Sequence, residues 1–259
     1  MITKKNIKNI VVMPNFKEIN LVDNDFIVNC KNSWKNWCNK NDIDFYEITT
    51  SIASFESIPP QIQKMWVLDI LLENKIEFNQ IAQVDYDTFI LPHCPNFFEK
   101  TNNNFSAVLD NGFGPTINRS IQMVKNNWYK NINVNWDTYF NSGFIVYNKN
   151  HLNVFKEIQN FYFLQKDNWC IINKSPNLTD DQTLLNFEIR KQNYKVTFLD
   201  RSYNVLDWHC KNFFANYTDE LGRDIISVKS IKDCVNIFHL TGDLNFRNQA
   251  SNFLITNFY

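Results

Sequence analysis

Residues 81–92 read IAQVDYDTFILP. Ile81, Ala82, Val84, Phe89, Ile90 and Leu91 make an apolar run of the kind that enters a core as a strand, yet Asp85 and Asp87 interrupt it one residue apart. In an extended chain residues i and i+2 share a face, so this reading brings the two carboxylates together. Unpaired like charges beside a core repel each other and are desolvated. A hard divalent cation resolves both costs, because it takes oxygen ligands and brings the missing positive charge. Mn²⁺ or Mg²⁺ also bridges to a diphosphate, and open α/β sheets collect ligands at the C-terminal ends of their strands, so the pair suggests a metal–nucleotide site. The competing reading is a solvated turn at a strand end, where D-x-D triplets are common. The apolar flanks QV and TFIL weigh against it.

On both sides of this stretch, strands alternate with helices. NIVVMP (9–14) reads as a first strand closed by proline, and 25–40 as an amphipathic helix with Ile27, Cys30, Trp34, Trp37 and Cys38 at three- and four-residue steps. DFYEIT (44–49) is a short strand; after Pro59-Pro60, Gln61–Asn74 reads as one strongly apolar helix leading into a strand at 80–86. Further strands are expected at 105–110, 143–147, 196–200 and 236–240, and helices at 116–129, 151–166 and 181–192. This alternation is the α/β class. No linker, repeat or low-complexity block divides the chain, so one domain over 1–259 is expected.

Composition narrows the function classes. The 259 residues are 44% hydrophobic and 15% aromatic, enough to bury a sizeable core. Formal net charge is −1 and no block of Lys or Arg forms a stripe, which argues against nucleic acid as the partner. No stretch approaches the roughly 18 apolar residues of a membrane span. The N-terminal apolar run is too short for a signal peptide, so a cytoplasmic protein is expected. Six scattered cysteines without a CxxC pair read as reduced thiols. The excess of Asn, Lys, Ile and Phe is what an AT-rich bacterial or viral genome produces. Only five glycines occur, with neither GxGxxG nor GxxxxGK[ST], so a Rossmann dinucleotide site and a P-loop are both disfavoured. Any phosphate must be neutralised by something other than a glycine-rich cradle.

Three more constellations carry polar groups beside apolar runs. In YFNSGFIVY (139–147), Asn141 and Ser142 precede a buried strand and Gly143 permits close approach; a plain loop-to-strand entry with an Asx turn explains the same letters. Asp180-Asp181-Gln182 opens a helix, where Asp caps and Gln is free to project into a cleft. In NIFHLTG (236–242), His239 follows an apolar strand and precedes a glycine turn; a lone histidine is more often structural than a ligand, the reading given to His93, His151 and His209.

The order of these pieces is itself a signal. A strand ending in DxD, then FNSG, then DQ-x-LLN on a helix, then H-x-x-G resembles, over about residues 60–248, the family-8 retaining glycosyltransferases, the glycogenin and lipopolysaccharide galactosyltransferase group. The resemblance implies a GT-A fold, a mixed central sheet flanked by helices. It implies Mn²⁺ or Mg²⁺ held by Asp85, Asp87 and His239 against the diphosphate of a nucleotide-sugar donor, a UDP-sugar. It places Asn141 on the donor sugar with Ser142 beside it, Asp181 on donor hydroxyls, Gln182 near the anomeric carbon, and Gly242 as the glycine of H-x-x-G. Ala107 and Val108 match the family's strand between the first two motifs. One departure stands out: the family continues to Lys-Pro-Trp, whose lysine contacts the diphosphate, where this chain has Asn245, Phe246 and Arg247. Arg247 and Lys64 are the candidate replacement cations.

The implied reaction moves a sugar to a hydroxyl of a glycan, lipid-linked sugar or protein. The acceptor attacks from the leaving-group face, so configuration is retained and no strong side-chain base is needed. Two alternatives stay open: an inverting transferase of the same fold with Asp181 as base, and a non-catalytic carbohydrate-binding protein using the seven tryptophans as stacking platforms. A sugar-nucleotide pyrophosphorylase is disfavoured by the missing glycine-rich loop. Loops 111–140 and 201–235 would shape the acceptor site, with Trp128, Trp136, Trp208 and His209 as contacts or as packing residues.

Overall fold

The computed structural model describes residues 7–16, 24–110, 112, 114–172, 180–206 and 228–259. Its centre is a six-stranded sheet built from β1 (Ile10–Pro14), β2 (Asp44–Ile48), β3 (Ile81–Val84), β5 (Phe105–Leu109), β6 (Phe140–Tyr147) and β7 (Val196–Leu199), in the order β2-β1-β3-β6-β5-β7. β1 is parallel to β2 and β3, β5 is parallel to β7, and β6 runs antiparallel to β3 and β5 between them. The expected mixed sheet is therefore present. β1, β3 and β6 are buried along their whole length, which is why they read as apolar runs rather than alternating ones.

The helix α1 (Asp25–Lys40) covers one face. Trp34 and Trp37 lie under it: Trp37 stacks on Phe97 with centroids 4.9 Å apart, and its indole N–H donates to Cys94 O at 2.7 Å. The other face carries α2 (Pro60–Gln63), α3 (Val67–Glu73), α4 (Gly114–Asn127), α5 (Leu152–Ile172) and α6 (Asp180–Lys191) around a second core with Leu68, Phe105, Ile145, Phe155 and Leu184. A third, smaller core lies among α1, the antiparallel pair β4 (Thr88–Ile90) and β8 (Ile237–His239), and the helix Leu244–Phe258.

Two local readings are corrected. The stretch 81–92 is not one strand. Val84 ends β3 in the central sheet, the chain turns at Asp85–Asp87, and β4 begins in the other sheet. The turn is closed by Asp85 O, which accepts from Thr88 N at 3.1 Å and from Thr88 Oγ1 at 2.6 Å. The two carboxylates thus converge across a turn and not along an extended face. Likewise, 61–74 is not one α-helix: a 3-10 turn over Lys64–Trp66 separates α2 from α3. Tertiary partners hold both residues at that junction. The buried Gln63 amide bonds Ile52 N, Ala53 O and Ile58 O, and Lys64 is drawn inward to two carboxylates.

The strand β6 is irregular where it matters. Its pairing with β5 passes from Ala107↔Ile145 directly to Val108↔Asn141, so Ser142, Gly143 and Phe144 bulge out of that ladder. Bulges re-aim side chains, and here the backbone at Gly143 turns to β3, its carbonyl accepting Asp85 N at 2.8 Å. Asn141 and Ser142 therefore lie inside the strand rather than just before it.

Candidate functional site

The C-terminal end of β3, the bulge of β6, the start of α6 and the end of β8 meet at one end of the central strands. His239, last residue of β8, is brought beside the acidic turn because β8 pairs with β4 in the register Thr88↔His239. Its Nε2 lies 3.2 Å from Asp87 Oδ1 and 3.9 Å from Asp85 Oδ2. One ligand atom from each of Asp85, Asp87 and His239 falls within 4.8 Å of the others. Two carboxylates and an imidazole in that space suit a single divalent cation. Gly143 backs the imidazole: a Cβ there would lie 2.3 Å from His239 Cε1. The sequence reading places these residues together through a resemblance; the fold does it through the β4–β8 pairing.

A second cluster adjoins the first. The Lys64 ammonium sits between Asp85 Oδ1 at 2.8 Å and Asp181 Oδ2 at 3.0 Å. Arg247 Nη2 lies 3.5 Å from Asp87 Oδ2, and its guanidinium covers the Phe26 ring. Three carboxylates thus face two permanent cations. Burial pushes the Asp85 carboxyl above its ordinary value, against the pull of Lys64. Burial raises Asp87 too, but His239 and Arg247 outweigh it and hold Asp87 low. For His239 burial is outweighed by Asp87, so the imidazole is held above its ordinary value. For Lys64 burial is outweighed by Asp181 and Asp85, and the ammonium stays charged.

From Asp181 a row of hydrogen bonds runs on along the cleft. Ser142 Oγ donates to Asp181 Oδ2 at 2.9 Å. Gln182 Oε1 accepts from Asn141 Nδ2 at 2.9 Å and from Ser142 N at 3.0 Å. Gln182 Nε2 donates to Asp110 Oδ2 at 2.5 Å. Asn141 Oδ1 accepts from Gly143 N at 2.8 Å and from Asn204 Nδ2 at 2.9 Å. The helix α6 is docked to β6 by Asn186, which accepts from Phe140 N and donates to Phe140 O.

Asp85, Asp87, Lys64, Asn141, Ser142, Asp181, Gln182, His239 and Arg247 are therefore gathered at one end of the central strands. Gly242 lies in the turn after β8 with φ 119, a left-handed conformation that favours glycine. The turn leads to Asp243, whose side chain caps the helix Leu244–Phe258 by accepting Phe246 N, and this helix presents Arg247. Other expected contacts lie elsewhere. Trp128 packs against Phe161 and donates its indole N–H to Gln165, in a groove of about 610 Å³ with Tyr129, Ile132 and Lys191. Trp136 is exposed. Trp208 and His209 lie outside the described residues. His93 bonds Val235 O, and His151 Nδ1 accepts Asn148 N. Among the described cysteines, Cys30, Cys38, Cys94 and Cys234 are free. The sequence reading missed Asp110 and Asn204. Asp110 had a signal, an acid directly after the apolar strand FSAVL; Asn204 had none.

No protein-family model and no curated protein sequence matches the chain. Solved structures do. A glycosyltransferase involved in the glycosylation of the major capsid of PBCV-1 is 12% identical, with 95% of this chain and 99% of that one covered and a TM-score of 0.59. The galactosyltransferase LgtC in complex with donor and acceptor sugar analogues is 14% identical over 96% of this chain and 95% of its own, TM-score 0.45. Mouse xyloside xylosyltransferase 1 is 10% identical over 93% of this chain and 99% of its own, TM-score 0.49. The 0.59 match spans both chains almost end to end, so the two chains share a fold. The chain has the GT-A fold, with an acidic turn and a distant imidazole joined at the end of its central strands.

Proposed function

We propose that this protein is a metal-dependent glycosyltransferase that moves a sugar from a UDP-sugar to a hydroxyl acceptor with retention of configuration, in a single domain. The observation that carries the reading is the Asp85–Asp87–His239 group on a GT-A fold. The donor set fits Mn²⁺, which when bound would supply Lewis-acid charge for a diphosphate. The chain's own residues complete the site. Lys64 and Arg247 supply fixed cations beside the carboxylates that would otherwise repel the donor. They stand in for the lysine that the resembling family carries after H-x-x-G. Asn141, Ser142, Asp181 and Gln182 form a pre-organised polar wall for sugar hydroxyls. The shallow cleft lined by Pro14, Phe16, Lys64, Asp85 and Tyr86 gives a nucleoside an aromatic and apolar place to lie.

Retention is favoured by the state of Asp181. Its Oδ2 accepts from both Ser142 Oγ and Lys64 Nζ, so that oxygen is already engaged and is held away from the role an inverting attack would need. The test is UDP release from a panel of UDP-sugars with Mn²⁺ and with EDTA, followed by NMR of the product's anomeric configuration. Metal-dependent release that Asp87→Ala abolishes supports the reading. Inverted product would move the role of base to Asp181. No release from any donor would leave a carbohydrate-binding protein.

A further inference from the structure

The row of polar groups described above has a direction. It starts at the putting-together of Asp85 with Lys64, passes through Asp181 and Ser142 to Gln182, and ends at Asp110. On the transferase reading, a donor with its diphosphate at the acidic turn would meet this row next, with Asp110 at its far end. The chemistry at that end is decided by the orientation of the Gln182 amide. The Ser142 backbone N–H can only donate, so the Gln182 atom facing it is the oxygen. That oxygen also accepts from Asn141, and an amide oxygen has two lone pairs, so both are in use. The Gln182 nitrogen consequently points away, to Asp110 Oδ2. Gln182 therefore offers its substrate an N–H donor and has no oxygen to spare for a cationic sugar.

The carboxylate that it meets is different. Asp110 is only half-buried. Its Oδ1 accepts Gly112 N at 2.6 Å and its Oδ2 accepts Gln182 Nε2, which leaves each oxygen a further acceptor site. Gly112 makes this possible, since a Cβ there would lie 2.8 Å from Asp110 Oδ1. Resting on the transferase reading, we infer that Asp110 is a catalytic residue: it is the anion that faces the anomeric centre, and Gln182 is the group that holds it. In the step this implies, the bond from C1 to the diphosphate oxygen breaks and its electron pair leaves with UDP. The positive charge spread over C1 and the ring oxygen is stabilised by the Asp110 carboxylate. The acceptor hydroxyl oxygen bonds C1, and its proton passes to the departing phosphate oxygen.

The test uses the full chain with Mn²⁺ and the UDP-sugar that wild type turns over best. Asp110→Asn keeps the shape and removes the charge. We expect kcat to fall 100-fold or more, with donor KM and the affinity for UDP unchanged within about threefold. Asp110→Ala should lose as much and regain at least tenfold in 0.5–1 M formate, which a purely structural carboxylate would not allow. Gly112→Ala, which keeps the charge but displaces it, should lower kcat by an intermediate factor and guards against misfolding of the other two. Turnover of Asp110→Asn within threefold of wild type, or no formate rescue in a variant that still binds UDP, would overturn the inference and leave the transferase reading intact. A wild-type chain inert toward every donor would overturn both.

Discussion

The imidazole of His239 lies against the backbone of Gly143, so close that a Cβ at position 143 would stand 2.3 Å from Cε1 and 2.8 Å from Nδ1. The glycine of FNSG thus makes room for an imidazole from the other end of the chain. Its carbonyl also accepts from Asp85 N, so one residue sets the position of two of the three proposed metal-binding groups. Groups that orient metal ligands are worth about 10–100-fold in affinity. We expect Gly143→Ala to weaken Mn²⁺ binding by that range while the far-UV spectrum stays unchanged. Calorimetric titration with Mn²⁺ measures it, and an affinity within twofold of wild type would show that the ring can retreat without cost.

Lys64 is predicted to hold the metal-free protein together. Its side chain is 11% exposed and pairs with Asp85 and Asp181 at once. Removing one partner of a buried pair costs about 3–5 kcal/mol, because the remaining charge is left uncompensated. Lys64→Met should therefore lose about 3 kcal/mol in urea unfolding with EDTA present. Mn²⁺ should recover part of that loss, since a cation at the acidic turn replaces the missing charge beside Asp85. A variant as stable as wild type in EDTA would mean that the carboxylates relax into solvent instead.

What was legible in the sequence follows from which forces are local. The helix α1 could be read because Phe26, Ile27, Cys30, Trp34 and Trp37 bury one stripe at helical spacing. The break at Asp85–Asp87 could not: Val84 and Phe89 are both fully buried, and apolar letters on either side of a turn do not say that they belong to different sheets. The 3-10 turn at Lys64 is set by carboxylates 21 and more positions away. The helix Leu244–Phe258 buries only Ala250, Ser251 and Leu254 deeply, too sparse a stripe to register. The Asp85, Asp87 and His239 set was reached because an ordered series of motifs resembled a family. Asp110 was not, because its role depends on an amide 72 positions away.

Asn186 is expected to be the clamp that registers α6 on β6. It is fully buried and satisfies both the N–H and the C=O of Phe140. Replacing it with leucine keeps the volume but leaves two backbone groups without partners, at about 1–3 kcal/mol for a buried group. Because Asp181 and Gln182 begin the same helix, Asn186→Leu should also raise donor KM. Chemical denaturation and steady-state kinetics together check the point; unchanged stability would mean that water replaces the amide.

His151 provides the pH dependence whose sign can be worked out. The ring is buried between Phe105 and Tyr194, with centroids 5.7 and 4.8 Å away, and burial pushes its pKa below the ordinary value of 6.5. A depressed imidazole makes no difference to stability at high pH, where it is neutral both folded and unfolded. As pH falls through 6.5 the unfolded chain takes up a proton that the folded one refuses, so stability declines until the folded pKa is reached. One proton bounds the slope at about 1.4 kcal/mol per pH unit. His151→Phe keeps the ring packing but loses the hydrogen bond from Asn148 N. It should be less stable at pH 7.5, yet lose less than wild type between pH 7.5 and 5.5. Proton NMR of the wild-type imidazole should place its midpoint below 6.5, and a midpoint above that value would reverse the slope attributed to this residue.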